Sequence, residues 1–282
     1  MQTIFFRATG DSCNVEQTFL LQSDLHIDGL NTCHKTLERE WKLAKDNGFP
    51  ILINGDLLDL ILPKDMKRFS MSASGPQYHV DDMINKVIDN AVDMLGPYAH
   101  LLRMMSMGNH EHAAVRHHSV NTIKLIIDRL RDKYKSPVEY GGYSGYFIAR
   151  WSGDNDRHYS TWRLFYHHGA GGSAPITKGI IDLVRITGWT PDANAVWIGH
   201  KHNQLWVPIA MQRCSNAGVI YETKIDAIMT GGYIDRNLTN GTDSTPYSEV
   251  FNMPPQPKGG AFVTVKGNSD RRPEVRAVQF GV

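Results

Sequence analysis

Residues 18–59 read TFLLQSDLHIDGLNTCHKTLEREWKLAKDNGFPILINGDLLD, and this stretch decides the fold. Its two apolar runs, 18–23 and 50–54, have the length of buried strands, and each stops at a loop that contains aspartate. Between them, 36–47 carries apolar residues near helical spacing and is followed by Gly48, a common helix terminator. The stretch therefore predicts a strand–helix–strand unit.

The alternation of strands and helices continues in the first half of the chain and gives way to strands in the second half. The segment 81–105 repeats this alternation, with an amphipathic helix that Pro97 breaks or kinks, and a second amphipathic helix is predicted over 119–134. The second half predicts one helix at 176–186 and strands at 146–151, 162–166, 196–198, 221–229, 261–265 and 275–280. This order favours a layered α/β sandwich built on two sheets. We expect a single domain over 1–282, with loop insertions at about 62–80 and 237–260.

The composition is that of an ordinary globular protein. Of the 282 residues, 41% are hydrophobic and 21% are charged, which argues against disorder and against a fibrous architecture. The net charge of +1 lacks the basic excess of proteins that wrap duplex nucleic acid. The 3 cysteines lie far apart and outside any CxxC pattern, so no disulfide framework or zinc knuckle is indicated. Because no signal peptide or apolar run of membrane-spanning length is present, we expect a cytoplasmic protein with no membrane partner.

Five short segments place carboxylate, amide or imidazole groups directly after predicted strands. They are DLH at 24–26, GDLLD at 55–59, GNHE at 108–111, HHG at 167–169 and GHKH at 199–202. Residues i and i+2 of an extended chain share a side, so Asp24 with His26, and His200 with His202, could each grip one site. Carboxylate and imidazole ligands together suit manganese, iron, zinc, cobalt or nickel, and the two oxygens of Asp56 could bridge two ions. Without a metal, unpaired polar groups buried at strand ends would cost several kcal/mol.

The ordered set DxH, GDxxD, GNHE, H and GHxH resembles the calcineurin-like metallophosphoesterase superfamily, and it spans 24–202. Five segments in this order are far more specific than any one of them alone. The resemblance implies a four-layer αββα sandwich of two mixed sheets flanked by helices. The segments GNHE and HHGAGG (167–172) are similar to uncharacterised members common in bacteriophage and environmental sequences, a likeness that names no substrate. The residue after GHxH is often aspartate but is Asn203 here, which weakens any transfer of a substrate.

The resemblance also implies a centre of two divalent ions, with manganese as the first expectation and iron, zinc, nickel or cobalt as alternatives. The implied metal ligands are Asp24, His26, Asp56, Asn109, His167, His200 and His202. Asp56 would bridge the two ions. His167 is preferred to His168 because family members usually keep this ligand at the first position after the strand.

The same resemblance implies roles in catalysis. His110 would donate to the phosphate or protonate the leaving oxygen as a general acid, and Asp56 and Asn109 complete the expected catalytic set. Asp59 and Glu111 are expected to orient histidine rings.

The expected activity is hydrolysis of a phosphoester, in which a hydroxide that bridges the two metals attacks phosphorus. A phosphodiester is favoured, and the expected substrate is a nucleotide or a single-stranded nucleic acid because nucleases occur in the superfamily. The alternatives are a phosphomonoesterase or protein phosphatase, and a metal-binding scaffold with little turnover. For 171–173 two roles stay open, a phosphate cradle at the start of the next helix or, as favoured, a plain connector.

Overall fold

The computed structural model describes residues 1–8, 16–60, 82–152, 159–172, 174, 176–235, 254–267 and 273–281. The predicted loop insertion at 62–80 lies outside these residues, as does the part of 237–260 that precedes residue 254.

Helices and strands alternate in the described residues much as the sequence predicts. The helices are α1 (His34–Asn47), α2 (Met83–Leu95), α3 (Asn109–His118), α4 (Thr122–Tyr134) and α5 (Ile180–Trp189). The strands are β1 (Gln2–Arg7), β2 (Glu16–Gln22), β3 (Ile51–Asn54), β4 (Leu102–Ser106), β5 (Glu139–Tyr140), β6 (Ser144–Ser152), β7 (Tyr159–His167), β8 (Ala195–Ile198), β9 (Leu205–Cys214), β10 (Ile220–Met229), β11 (Ala261–Lys266) and β12 (Glu274–Phe280).

The strands form two mixed six-stranded sheets, which confirms the predicted α/β class with two mixed sheets. The first sheet has the order β1-β6-β7-β8-β10-β9 and the second has the order β12-β11-β2-β3-β4-β5. Strands β2, β3 and β4 run parallel, as do β7, β8 and β10. Loops that leave the carboxyl ends of neighbouring parallel strands meet at one end of a sheet, where α/β folds place their ligands.

Alternating strand residues divide between different hydrophobic clusters. In β3, Ile51 and Ile53 pack with residues of α1, α2 and α4, whereas Leu52 packs with residues of the first sheet. The two sheets meet through aromatic side chains, and the rings of Phe19 and Trp162 stack with centroids 5.5 Å apart. On the far face of the first sheet, Leu183 of α5 joins the core. Residues of the two sheets therefore share one hydrophobic cluster, and each sheet also shares a cluster with helices.

The structure corrects several predicted elements. Within 81–105, the helix α2 ends at Leu95, before Pro97, and residues 102–105 belong to β4; the helix α3, which the sequence does not predict, begins inside the GNHE motif. Strand β9 is not predicted from the sequence because it contains Pro208, which lacks the N–H that an interior strand needs. It is tolerated because β9 lies at the edge of its sheet.

Within the described part of the chain, no helix combines the length and the apolar character that crossing a membrane requires.

Candidate metal centre

The predicted ligand motifs lie on loops that leave the carboxyl ends of β2, β3, β4, β7 and β8. Five of their side chains belong to residues with positive φ angles between 46° and 65°: Asp24, His26, Asp56, His200 and His202. Such angles are uncommon outside glycine, and they persist only where the surroundings enforce them. Their concentration at one end of the fold indicates a functional site.

Two groups of possible metal ligands meet at this end of the sheets. The potential ligand atoms of each group lie within 4.8 Å of one another. One group consists of Asp24, Asp56, His168 and His200, and the other of Asp24, His26 and His202. Asp24 belongs to both groups, although Asp56 is the residue that the resemblance assigns to the bridging position.

Asp24 lies between the two groups with one oxygen engaged and one without a hydrogen bond. Its Oδ2 accepts a hydrogen bond of 2.8 Å from the backbone N–H of His200. Its Oδ1 lies 3.4 Å from Nε2 of His202 and 4.0 Å from Nε2 of His168. This Oδ1 is buried and has no hydrogen-bond partner among the described residues, and neither has Nε2 of His26, whereas Nδ1 of His26 lies 3.4 Å from Oδ1 of Asp59. Because buried polar atoms without partners are costly, these donor atoms fit a divalent cation.

His168 presents one ring nitrogen to the first group. Its Nδ1 lies 2.8 Å from the carbonyl oxygen of Asn54, which fixes the tautomer in the manner typical of metal-binding histidines. Its Nε2 lies 3.1 Å from Oδ1 of Asn109 and 3.2 Å from Oδ2 of Asp56. Burial alone lowers the pKa of His168, but the nearby carboxylate of Asp56 outweighs it and raises the pKa to about 10.

The preference for His167 is corrected by the structure. His167 still belongs to β7, and its Nδ1 accepts a hydrogen bond of 2.9 Å from the backbone N–H of Gly169. It belongs to none of the groups of possible ligands among the described residues. The structure thus brings together six of the seven predicted ligands, with His168 in place of His167.

Asp56 is held by backbone contacts with the neighbouring loop. Its Oδ1 accepts a hydrogen bond of 2.9 Å from the backbone N–H of His110. Burial by itself raises the pKa of Asp56, but the charges of His110 and His168 hold it well below its usual range. Asp56 is therefore ionised at neutral pH and available to a cation.

Glu111 clamps the loops that follow β3 and β4. Its carboxylate accepts hydrogen bonds from the backbone N–H groups of Asp56 (3.0 Å), Leu58 (2.9 Å) and Gly108 (2.8 Å). Burial, with Asp56 close by, raises the pKa of Glu111. Glu111 was expected to orient a histidine ring, and the structure shows that it positions backbone groups instead.

His110 is oriented by Asp59, as the sequence predicts. Its Nδ1 lies 2.7 Å from the carbonyl oxygen and 3.1 Å from Oδ1 of Asp59. Its Nε2 lies 3.7 Å from Oδ2 of Asp56, and its ring centroid lies 4.7 Å from that of His26. His26, Asp59 and His110 form a third group of potential ligands. Burial by itself raises the pKa of Asp59, but hydrogen bonds with His110 and His26 outweigh this effect and lower the pKa below its usual range. The three residues therefore form an ion-paired cluster.

Three residues at the site are not predicted from the sequence: Asp28, Asn54 and Lys201. Asp28 accepts hydrogen bonds from the backbone N–H groups of Asp59 (2.5 Å) and Leu60 (3.0 Å). Each lies within two residues of a motif residue, and that position is the only signal in the sequence. Nothing there distinguishes a polar side chain that binds backbone from one that faces solvent.

No protein-family model matches this chain, and a search of curated proteins finds no match. Two adjoining sets of carboxylate and imidazole donors, with a histidine held beside them, suit metal-assisted hydrolysis.

Proposed function

We propose that this protein is a dinuclear metal-dependent phosphoester hydrolase of the calcineurin-like metallophosphoesterase type. The observation that carries the proposal is the shared position of Asp24, whose buried Oδ1 has no hydrogen-bond partner among the described residues and adjoins both ligand groups. A lone cation would need only one group. Two groups that share a carboxylate match a pair of ions.

The residues divide between the two ions according to their grouping. His26 and His202 would hold one ion, and Asp56, His168 and His200 would hold the other, with Asp24 common to both. Asn109 would join the second set because its Oδ1 lies beside Nε2 of His168. Manganese is our first choice, and iron, zinc, nickel and cobalt suit the same donors. When bound, two such ions polarise a phosphoryl group and acidify water at neutral pH.

His110 is the residue that would move a proton. Asp59 accepts a hydrogen bond from Nδ1 of His110. Nε2 of His110 is therefore left facing Asp56 and the ligand groups. A protonated Nε2 can donate to a phosphate oxygen or to the departing alkoxide. Because Asp59 is itself held by Asp28, the ring direction is set before substrate arrives.

We further propose that the substrate is a phosphodiester, with a nucleotide or single-stranded nucleic acid as the favoured class. The support is the motif resemblance across 24–202 and a near-neutral chain, which argues against a long duplex footprint.

The test is hydrolysis of bis-p-nitrophenyl phosphate and p-nitrophenyl phosphate by metal-stripped protein resupplied with Mn²⁺. Asp56→Asn is compared with Asp226→Asn, since both aspartates are 2% exposed but Asp226 lies away from the site, beside Trp206. We expect diester cleavage that needs Mn²⁺, is abolished in Asp56→Asn and persists in Asp226→Asn.

His110→Ala separates proton transfer from metal binding. It should retain both ions and lose about 10²- to 10⁴-fold in turnover, the usual contribution of a general acid. Cleavage of the monoester alone would favour a phosphomonoesterase. Two bound ions with no turnover of either compound would favour a metal-binding scaffold and overturn the proposal.

A further inference from the structure

Lys201 is a buried cation that lies between the two histidines of the GHKH motif. It is 2% exposed, and its Nζ contacts three successive carbonyl oxygens, those of Ala170 (2.5 Å), Gly171 (3.0 Å) and Gly172 (2.7 Å). The same Nζ lies 3.1 Å from Oδ2 of Asp182. An ammonium group has three N–H donors, so these four acceptors satisfy it fully.

The position of this charge is unfavourable for a metal centre. Lys201 is flanked in sequence by His200 and His202, and a positive charge here opposes the binding of a cation nearby. Burying an ammonium also costs free energy unless it is paired. A lysine at this place therefore needs a structural reason, and the carbonyl contacts supply one.

The contacts lead from Lys201 to a metal ligand. The carbonyl oxygen of Gly171 accepts from Nζ of Lys201 and also lies 2.9 Å from Nε2 of His200. With Nε2–H donated to this carbonyl, Nδ1 is the nitrogen of His200 that remains for a metal. The place of a single carbonyl oxygen thus sets both the ring direction and the tautomer of His200.

The segment 170–172 depends on Lys201 for its shape. It is exposed, Gly171 has a φ of 69°, and glycines lose more conformational entropy on ordering than other residues. In the described part of the chain, the side chains that hydrogen-bond to 170–172 are those of Lys201 and His200. Since α5 begins only at Ile180, Gly171 and Gly172 do not form the phosphate cradle at its start that was left open above.

We propose that Lys201 is a positioning residue of the metal centre: it gathers the carbonyls of 170–172, and through the Gly171 carbonyl it presents Nδ1 of His200 to the second ion. The assignment of that ion rests on the proposed function. The position of the His200 ring does not, because it is a property of the protein without metal.

The first experiment determines the tautomer of His200 by two-bond ¹H–¹⁵N correlation in metal-stripped protein. We expect an Nε2–H tautomer in the wild type and a mixture of tautomers in Lys201→Met, which keeps the aliphatic chain but removes the donors. Lys178→Met is the matched control, since Lys178 is an exposed lysine nearby, and it should match the wild type. An Nδ1–H tautomer in the wild type would overturn the proposal even if Lys201→Met failed to fold.

The second experiment measures Mn²⁺ affinity by titration calorimetry. Lys201→Met should lower the affinity for the ion assigned to His200 by about 10- to 100-fold, the usual effect of losing a partner that supports a ligand. The protein should not lose affinity for the other ion, assigned to His26 and His202, because that ion does not use His200 and loss of the Lys201 charge favours a nearby cation. Unchanged affinities in Lys201→Met would contradict the proposal.

The two proposals can fail separately. Absence of phosphoester cleavage, with the tautomer and affinities as expected, would overturn the hydrolase and leave Lys201 as assigned. If the wild type bound no metal, the hydrolase would fail, and the His200 tautomer would still decide the role of Lys201.

Discussion

Nε2 of His168 lies 3.2 Å from Oδ2 of Asp56, which joins the end of β7 in one sheet to the end of β3 in the other. The candidate centre is therefore built across the two sheets. Neither sheet alone holds a full set of ligands, so the centre depends on how the sheets pack.

The first prediction distinguishes two neighbouring histidines. His168→Gln should lower the affinity for one of the two Mn²⁺ ions by more than about 100-fold, because Nε2 of His168 faces Asp56 and Asn109. This loss exceeds the one that is typical of a residue that only supports a ligand. His167→Gln is the matched control and should bind both ions as the wild type does. Metal content by mass spectrometry and calorimetric titration would check this. Equal losses in the two variants would contradict the assignment.

His167 and His168 also show how precisely the sequence alone can predict a site residue. The expected ligand is the first residue after the strand, but β7 extends through His167, one residue beyond the predicted strand 162–166. His167 still pairs with Ser144 and Ile198 in the sheet, so the first residue past the strand is His168. A strand boundary depends on neighbouring strands, and a local pattern cannot fix it within one residue.

Residues that act through backbone groups were the hardest to predict. The five motifs and the α/β class follow from apolar runs that end in polar residues, which is local information. Glu111 and Lys201 bind N–H or carbonyl groups of segments far away in the chain, and those contacts exist only after the loops meet. The strand β9 was missed for a similar reason, since its edge position depends on the whole sheet.

The second prediction concerns the sharing of Asp24. Asp24→Asn should lower the affinity for both ions, because Asp24 is common to both ligand groups. His202→Gln should lower the affinity for only one of the two ions, since His202 belongs to one ligand group. Calorimetric titration with Mn²⁺ gives the number of sites and the affinity of each. The sharing would be refuted if Asp24→Asn lost one ion and kept the other at wild-type affinity.

The third prediction uses the close approach of two loops. A Cβ on Gly108 would lie 2.1 Å from Oδ1 and 2.4 Å from the backbone nitrogen of Asp56, so Gly108→Ala must displace Asp56. We expect loss of Mn²⁺-dependent diester cleavage and a free energy of unfolding lower by about 1–3 kcal/mol, as for other overpacked sites.

The control for this variant is Gly188→Ala in α5. A Cβ at Gly188 meets no atom within 4 Å, so this change should keep activity and raise the free energy of unfolding by at most about 1 kcal/mol. Urea denaturation and the diester assay measure both quantities. Full activity in Gly108→Ala would show that the loops can separate without moving Asp56.

The last prediction concerns the buried carboxylate of Glu40, which lies away from the ligand groups. It accepts hydrogen bonds from Nε2 of Gln22 (3.0 Å) and the backbone N–H of Gly260 (3.1 Å), and from the hydroxyl of Tyr233 (2.5 Å). Burial raises the pKa of Glu40 above its ordinary value of 4.5, and the hydrogen bonds offset only part of this. The folded protein therefore holds a proton that the unfolded chain releases more easily.

Linkage then gives the sign of the pH dependence. Where the folded state binds more protons, the free energy of unfolding falls as pH rises, here from about 4.5 through the raised pKa of Glu40. Glu40→Gln cannot titrate, so the stability of the wild type relative to this variant should decline over that window and level off above it. Urea denaturation of both proteins in EDTA at several pH values removes the metal contribution and measures the difference. A difference that rose with pH would mean that the three donors hold Glu40 ionised in the fold.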